Sequence, residues 1–253
     1  SYASEETKEV IEQMIVAHGG YEQWKSIKTM SFKNIMHSES LGMLRFWVKE
    51  QWIDMETRRS YQEWPVVQSS MAYDGEKAWS TNWQIGNPPN HQHSVYLYYV
   101  NLPWLTQDEA VNLSEVEKVT HHAFENEAYK ITMNYTEPPI LGKSANDSYT
   151  LFIDSETYLL LGYEYTVGYG PMLDVMNMPK DREFIGPLLR LNNYIGEVNG
   201  LKLPMLMTTH NSDKTTQYGD HIIYDFKFNF EFDESKMSMP EDAVVDNSKD
   251  KRK

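Results

Sequence analysis

Several segments of this chain alternate apolar and polar residues with a period of two, and this pattern limits the fold to one built mainly from β-strands. It is clearest in residues 224–232 (YDFKFNFEF), where every second residue is aromatic. Residues 129–135 (YKITMNY) and 43–53 (MLRFWVKEQWI) show the same period, with Trp47 out of pattern. Because successive side chains of a strand point to opposite faces, each run predicts a strand with one solvent-exposed face and one buried face.

Short turn signals separate the predicted strands. They are Asp74-Gly75, Asp154-Ser155-Glu156 and Asn199-Gly200. Short connections between amphipathic strands predict an antiparallel meander, of roughly ten strands here. No segment of about 20 to 50 residues repeats along the chain, which argues against a propeller or a solenoid.

The chain begins with a predicted helix over residues 4–17. Ser4 is a suitable N-cap, and apolar residues recur at helical spacing between Val10 and Ala17. Gly19 suits the left-handed position that ends many helices. His18 then lies in the last turn, where a partly cationic side chain interacts favourably with the negative helix end. We therefore expect a structural role for His18 rather than catalysis.

Two interruptions of the strand pattern have a different character. Residues 88–110 begin with a double proline and are rich in aromatic and apolar side chains, which predicts one or two helical segments. Residues 170–182 are rich in Pro and Met. Long insertions in compact domains are typically lids or binding segments.

The composition excludes several classes of function. The net charge is −14, with 37 acidic and 23 basic residues, so we expect no nucleic-acid partner. The chain has no cysteine, which rules out disulfides, thiolate metal sites and cysteine nucleophiles. No run of about 18 apolar residues predicts a membrane-spanning helix.

Histidines supply the best candidate for a metal site. In an extended segment, His91 and His93 would point the same way, and the pair at 121–122 could add a third imidazole. A His-X-His after Pro-Pro in a polar loop is, however, usually exposed to solvent. We therefore expect no metal and no cofactor.

Catalytic signatures are also missing from the sequence. The zinc-protease helix, the nucleophile elbow, the phosphate loop and the dinucleotide fingerprint do not occur. Carboxylate pairs such as Asp54 with Glu56, or Asp74 with Glu76, are better explained as turn residues than as a glycosidase pair. We expect a protein that is not an enzyme.

The order of several motifs resembles a known family. The stretch AHGGYEQWKSIKTMSF is followed by MAYDGEKAW, LFIDSETYLLLGYEY, VNGLKLPMLM and FEFDESKMSMPEDA. In order and spacing over nearly the whole chain, this resembles the outer-membrane lipoprotein-sorting carriers, the LolA/LolB-like superfamily. It is most similar to uncharacterised lipoprotein relatives that share the Ala-His-Gly-Gly start.

The resemblance implies a fold of the α+β class that is mostly β. A curved antiparallel sheet would form an incomplete barrel, with an N-terminal helix and a helical lid covering its concave face. Residues 1–246 would form this single domain, and residues 247–253 a disordered basic tail. The longer aromatic central segment and residues 170–182 depart from the carriers, which puts lipoprotein transfer itself in doubt.

The resemblance also implies a non-catalytic cavity for a hydrophobic, lipid-like ligand, used in lipid or lipoprotein carriage or sensing. The apolar strand faces would line it, through Leu44, Phe46, Val48, Trp52, Tyr129, Ile131, Met133, Tyr149, Leu151, Tyr163, Tyr165, Tyr224, Phe226 and Phe228. The lid would contribute Val95, Leu97, Tyr98, Leu102, Trp104 and Leu105.

Two readings of these aromatic residues stay open. They can form an ordinary core, or the protein can be a glycan- or protein-interaction module that uses exposed aromatics such as Trp47 on the outer face. For the carrier we expect a monomer in the periplasm, or anchored to the outer membrane of a Gram-negative bacterium. A lipidated cysteine before Ser1 would allow peripheral membrane association.

Overall fold

The computed structural model describes residues 1–38 and 46–250, and their strands form one antiparallel sheet. The strands are β1 Thr29–His37, β2 Phe46–Asp54, β3 Ser60–Trp64, β4 Ser69–Tyr73, β5 Ala78–Thr81, β6 Val111–Leu113, β7 Glu117–Val119, β8 Ala128–Tyr135, β9 Ser148–Asp154, β10 Leu160–Val167, β11 Ile185–Val198, β12 Leu201–Asn211, β13 Gln217–Phe228 and β14 Val244–Val245. The described part thus holds fourteen strands rather than about ten. The additional ones are mostly too short to show an alternating pattern.

Four α-helices accompany the sheet in the described residues: α1 Glu5–Ala17, α2 Tyr21–Lys25, α3 Pro89–Leu105 and α4 Gly170–Val175. Short 3-10 turns occupy Pro65–Val67 and Glu234–Met237. The side chain of Ser4 caps α1 by accepting a hydrogen bond from the backbone N–H of Thr7 at 3.2 Å. No helix of the described segments is long and apolar enough to cross a membrane.

The sheet is open at both ends. Its order is β14-β5-β4-β3-β2-β1-β13-β12-β11-β10-β9-β8-β6, and β7 also pairs with β8. The two edge strands do not pair, so the curved sheet remains a half-barrel. The predicted fold class is confirmed: a mostly β protein with an N-terminal helix and a helix over the concave face.

Helix α3 fills much of the concave side. All of its residues are buried except Val95 and Tyr99, which are half-buried. Because α3 is buried on every side and carries buried polar as well as apolar residues, sequence periodicity could not assign it an outer face. The predicted lid is therefore also a central part of the core.

The predicted facing of β2 is wrong. Trp47, Lys49, Gln51 and Ile53 are the buried set, whereas Phe46 is 63% exposed. Val48 and Trp52 lie with Phe46 on the convex face, where the ring of Trp52 packs on Tyr61 with centroids 5.8 Å apart. Leu44 lies outside the described residues. Alternation defines two faces, but here the convex face also carries large apolar groups.

The predicted facing of β13 is correct for only part of the strand. Asp225 has a left-handed backbone, with φ of 56°, at an irregularity in the pairing with β1. A bulge of this kind shifts the alternation by one residue. Tyr224 therefore points outward and is 39% exposed, whereas Phe226 and Phe228 pack on the main core.

The Ala-His-Gly-Gly segment joins α1 to the sheet. His18 is 1% exposed, and its backbone carbonyl accepts a hydrogen bond from the N–H of Lys202 at 3.0 Å. Gly19 has φ of 109°, and a Cβ there would lie 2.2 Å from the carbonyl oxygen of Gly200. The expected structural role fits this site, but burial lowers the pKa of His18 to about 4, so the expected cationic side chain is neutral.

The segment after residue 246 packs on the domain over part of its length. The Ser248 hydroxyl is 3.3 Å from that of Tyr169, and a carboxylate oxygen of Asp250 accepts a hydrogen bond from the N–H of Gly170. Residues 251–253 lie outside the described residues. Part of the predicted disordered tail thus has tertiary contacts.

Candidate ligand-binding cavity

A cavity of about 270 Å³ lies between α3, α4 and the concave face of the sheet. We call it the α3 cavity. One part of its wall is apolar and includes Met36, Trp47, Ile85, Val95, Met172 and Leu188. Methionine side chains are unbranched and flexible, so this part of the wall can repack.

The other part of the wall carries polar groups. They are contributed by Tyr96, Tyr99, Tyr165, Arg190, Thr209 and His221. Arg190, in the middle of β11, is 2% exposed. Its guanidinium carbon lies 3.8 Å from the centroid of the Tyr99 ring, and one Nη donates to the Tyr165 hydroxyl across 3.4 Å.

The Arg190 guanidinium is under-partnered. Its Nε and the other Nη are buried and donate to no acceptor among the described residues. Tyr99 and Tyr165 offer a ring face and a neutral hydroxyl, neither of which carries a negative charge at neutral pH. A guanidinium stays protonated at every pH a folded protein experiences. The α3 cavity therefore contains a buried positive charge without a counter-charge from the described part of the chain.

Two further basic side chains lie close to Arg190. His221 Nδ1 and the Tyr96 hydroxyl form a hydrogen bond of 2.7 Å. Burial lowers the pKa of His221 far below its usual range, and the nearby Arg190 and Lys49 lower it further. Lys49 lies 3.4 Å from the centre of the Tyr96 ring. Since burial keeps His221 neutral and Lys49 is not part of the cavity lining, Arg190 is the group among the described lining residues that carries a fixed charge.

Lys49 differs from Arg190 because polar side chains surround its ammonium group. Its Nζ donates to the side-chain oxygens of Gln51 at 2.8 Å and Gln62 at 3.3 Å. Burial holds the pKa of Lys49 well below its usual range. Lys49 can therefore lose its charge, which Arg190 cannot do.

Most predicted cavity residues lie elsewhere in the core. Tyr165 and Val95 line the α3 cavity. The other concave-face residues belong to the main core that includes α3, or pack at the margin of this core; they are Tyr129, Ile131, Met133, Tyr149, Leu151, Tyr163, Phe226 and Phe228. The lid residues Leu97, Tyr98, Leu102, Trp104 and Leu105 fill the space above them. Ligand binding by these residues stays a prediction.

Arg190 is not among the cavity residues predicted from the sequence. The run LLRLNN suggests an apolar strand whose leucines face the core, but Leu189 and Leu191 pack on the convex side against Phe124. Leu188 and Arg190 are the residues that face inward. A lone arginine in an apolar strand was the available signal, because such a charge is rarely buried without a partner.

The histidine and carboxylate candidates have structural partners. His91 and His93 lie in α3, not in an extended segment, and donate ring N–H groups to the carbonyls of Gly142 and Leu141. The described residues contain no group of three metal-ligating side chains. Asp54 and Asp74 accept backbone N–H groups within their own turns.

A larger groove of about 1160 Å³ runs along α4 at the surface. Charged side chains such as Asp174, Lys180 and Glu183 line it, together with residues 246–249. Pro88, Pro171 and Val175 form the apolar part of its wall, so apolar and charged groups are mixed along the groove. The α3 cavity is the better candidate because it combines apolar walls with buried polar groups.

An open antiparallel half-barrel with a helix on its concave face defines the LolA-like fold, and the structure has this fold. The sequence matches no protein-family model and no curated protein. Solved structures do share the architecture. A LolA superfamily protein from Nitrosomonas europaea aligns with a TM-score of 0.56 at 8% identity, covering 91% of this chain and 96% of that one.

Two other solved structures resemble this chain to a similar degree. A DUF1329 family protein from Desulfovibrio piger has a TM-score of 0.53 at 9% identity, covering 91% of this chain and 96% of that one. A putative outer membrane lipoprotein-sorting protein domain from Vibrio parahaemolyticus has a TM-score of 0.50 at 8% identity, covering 90% and 94%. The predicted resemblance is confirmed at the level of the fold.

Proposed function

We propose that this protein binds a hydrophobic, lipid-like ligand in the α3 cavity without catalysing a reaction. The observation that carries the proposal is an apolar cavity of about 270 Å³ under the helix of a LolA-like half-barrel. Removing a methylene group from water contributes about 0.8 kcal/mol, so a short stretch of acyl chain is enough for several kcal/mol.

The biological setting follows by analogy with the structural neighbours. One of them is described as a putative lipoprotein-sorting domain. We propose a carrier or sensor of lipids or lipoproteins, acting as a monomer in the bacterial periplasm or at the outer membrane. A lipid anchor upstream of Ser1 would hold it at that membrane.

The proposal can be tested with Nile red, a neutral dye that fluoresces in apolar sites. Titration should give saturable binding, and native mass spectrometry of gently purified protein should show a co-purified acyl species. Val95→Trp would place a large ring in the α3 cavity and should abolish dye binding. The matched control is Val66→Trp, because Val66 is 74% exposed and far from the cavity lining.

Unchanged dye affinity in a folded Val95→Trp protein would contradict the proposal. So would a wild-type protein that binds no dye and carries no lipid. Circular dichroism and thermal unfolding of both tryptophan variants would show that the loss of binding is not a loss of structure.

The alternative function is an interaction module that uses exposed aromatic residues, and the tryptophans are not exposed enough to serve it. Each of the seven is buried or half-buried, including Trp47 at 8% exposure. One observation still favours an interaction surface. A row of apolar side chains crosses adjacent strands of the convex face, formed by Tyr194, Leu206, Ile222, Ile35 and Val48. Ile222→Lys would disrupt that row and should leave Nile red binding unchanged.

A further inference from the structure

We infer that the ligand of the α3 cavity is a single-chain amphiphile with an anionic headgroup, and that Arg190 binds this headgroup. This inference rests on the proposed function and specifies its ligand class. It depends on three observations: the buried guanidinium, the absence of a counter-charge from the described residues, and the size and lining of the cavity.

The charge of Arg190 favours an anionic headgroup. A cation removed from water is costly to bury unless an anion or several hydrogen bonds compensate it. Arg190 has one long hydrogen bond and an aromatic contact, and two of its nitrogens lack acceptors within the described structure. An anionic group entering the cavity would supply both the charge and the acceptors. Because the guanidinium is already desolvated, much of the cost of forming the ion pair is met in the free protein.

The geometry around Arg190 also favours an anionic headgroup. Tyr99 covers the guanidinium at 3.8 Å, which leaves the nitrogen edge for in-plane hydrogen bonds. Two oxygens of a carboxylate, or of a phosphate, match such an edge in a bidentate arrangement. Thr209 also lines the cavity, and its buried hydroxyl has no hydrogen-bond partner in the described residues. It is a second donor available to the headgroup.

The size of the α3 cavity favours a ligand with a single chain. Ligand pockets typically measure about 300 to 1,000 Å³, and the α3 cavity lies just under that range at about 270 Å³. One acyl chain suits this volume better than two. The apolar wall formed by Met172, Met176 and Leu188 would contact the chain while Arg190 holds the head.

Other buried cations fit the role less well. Lys143 is an ion-pair partner of Asp147 at 3.5 Å. Lys49 donates to two glutamine side chains and is not part of the cavity lining. Arg190 alone among these three lines the cavity and lacks both an ion-pair partner and a full set of acceptors within the described residues.

The test compares palmitate with its methyl ester as competitors of Nile red, at about pH 8, where a carboxylate is ionised. The two share one chain length and differ in the charge of the head. Wild-type protein should bind palmitate about tenfold or more tightly than the ester. Arg190→Met keeps an apolar side chain of similar length and should bind both equally, and Arg190→Lys should restore part of the preference.

The control is Arg182→Met, which makes the same exchange at an exposed position and should keep the wild-type preference. Equal affinities in wild-type protein, or a preference that survives Arg190→Met, would overturn the headgroup inference while leaving the proposed function intact. If neither competitor nor Nile red binds, the proposed function itself is contradicted, and the headgroup inference with it. Lysophosphatidic acid, run beside palmitate, distinguishes a phosphate head from a carboxylate head, and tighter binding of either supports the anionic class.

Discussion

Nε2 of His18 accepts a hydrogen bond from the backbone N–H of Leu160 at 3.0 Å. Its Nδ1 donates to the carbonyl of Lys202 at 2.8 Å, so both ring nitrogens have partners and the imidazole must be neutral. His18 thereby joins the end of α1 to β10 and β12. Its ring also meets Trp104 of α3 edge-on, with centroids 5.9 Å apart.

This neutral histidine predicts a loss of stability in acid. Burial lowers its folded-state pKa to about 4, while an unfolded histidine titrates near 6.5, so the unfolded chain binds more protons between these values. The contribution is fully present above pH 6.5 and is lost as the pH falls toward 4. We expect His18 to account for about 2 kcal/mol less stability at pH 5 than at pH 7.

Urea unfolding of wild-type protein and His18→Gln at the two pH values measures this effect. The variant should be less stable at pH 7 because the glutamine cannot satisfy both partners, yet its stability should change less on acidification. An identical pH dependence in the two proteins would show that His18 is not the titrating group.

Gly19→Ala should destabilise the protein strongly. The new Cβ would lie 2.2 Å from the carbonyl oxygen of Gly200, and the residue has a left-handed φ of 109°. We expect a loss of about 3 kcal/mol or more, from the steric clash and the backbone strain together. Gly20→Ala is the matched control: its φ is 88°, but a Cβ there meets nothing within 4 Å, so strain alone applies at about 1 to 3 kcal/mol. Equal losses in the two variants would contradict the proposed packing of Gly19 on Gly200.

Arg190→Met should raise the melting temperature of ligand-free protein. Replacing a buried, uncompensated charge by an apolar side chain is often stabilising, here by about 1 to 2 kcal/mol. Each kcal/mol shifts the midpoint by about 2 to 4 °C in a domain of this size. Differential scanning calorimetry of delipidated protein measures the shift, with Arg182→Met as the exposed control. A marked fall in the midpoint would mean that the contacts with Tyr99 and Tyr165 outweigh the cost of burial.

Leu151→Ala should reduce stability without changing ligand affinity. Leu151 is fully buried in the main core and does not line the α3 cavity. Removing its side chain leaves a void, with an expected loss of about 2 to 5 kcal/mol. Phe46→Ala, at a position 63% exposed, should cost much less. Weaker Nile red binding by a folded Leu151→Ala protein would instead support the deeper ligand site predicted from the sequence.

Local patterns were sufficient to predict the main elements of this protein. Ser4 caps the helix that follows it, and alternation of apolar and polar residues predicts the strand at residues 129–135. In the two turns, the carboxylates of Asp74 and Asp154 accept hydrogen bonds from nearby backbone N–H groups. Antiparallel order follows in turn from the short connections. These features depend on residues close together in the chain, so a single sequence specifies them.

The direction of each face depended on the tertiary structure. In β2, either face could have been the inner one, because Phe46 and Trp52 are as apolar as Trp47 and Ile53. In β13, the bulge at Asp225 changes the facing within one strand. In β11, Leu189 and Leu191 face the convex side and are still buried, because the segment around Phe124 packs on them.

The amino-acid pattern alone was enough to predict the N-terminal helix with its cap at Ser4, the amphipathic strands and the antiparallel pairing of strands joined by short turns. That α3 occupies much of the concave side, and that Arg190 lies on the wall of a cavity beside it, followed from the three-dimensional packing. Burial and charge compensation depend on contacts between residues that are far apart in the chain. A local pattern records which side chains are apolar, but not which of them share an interior.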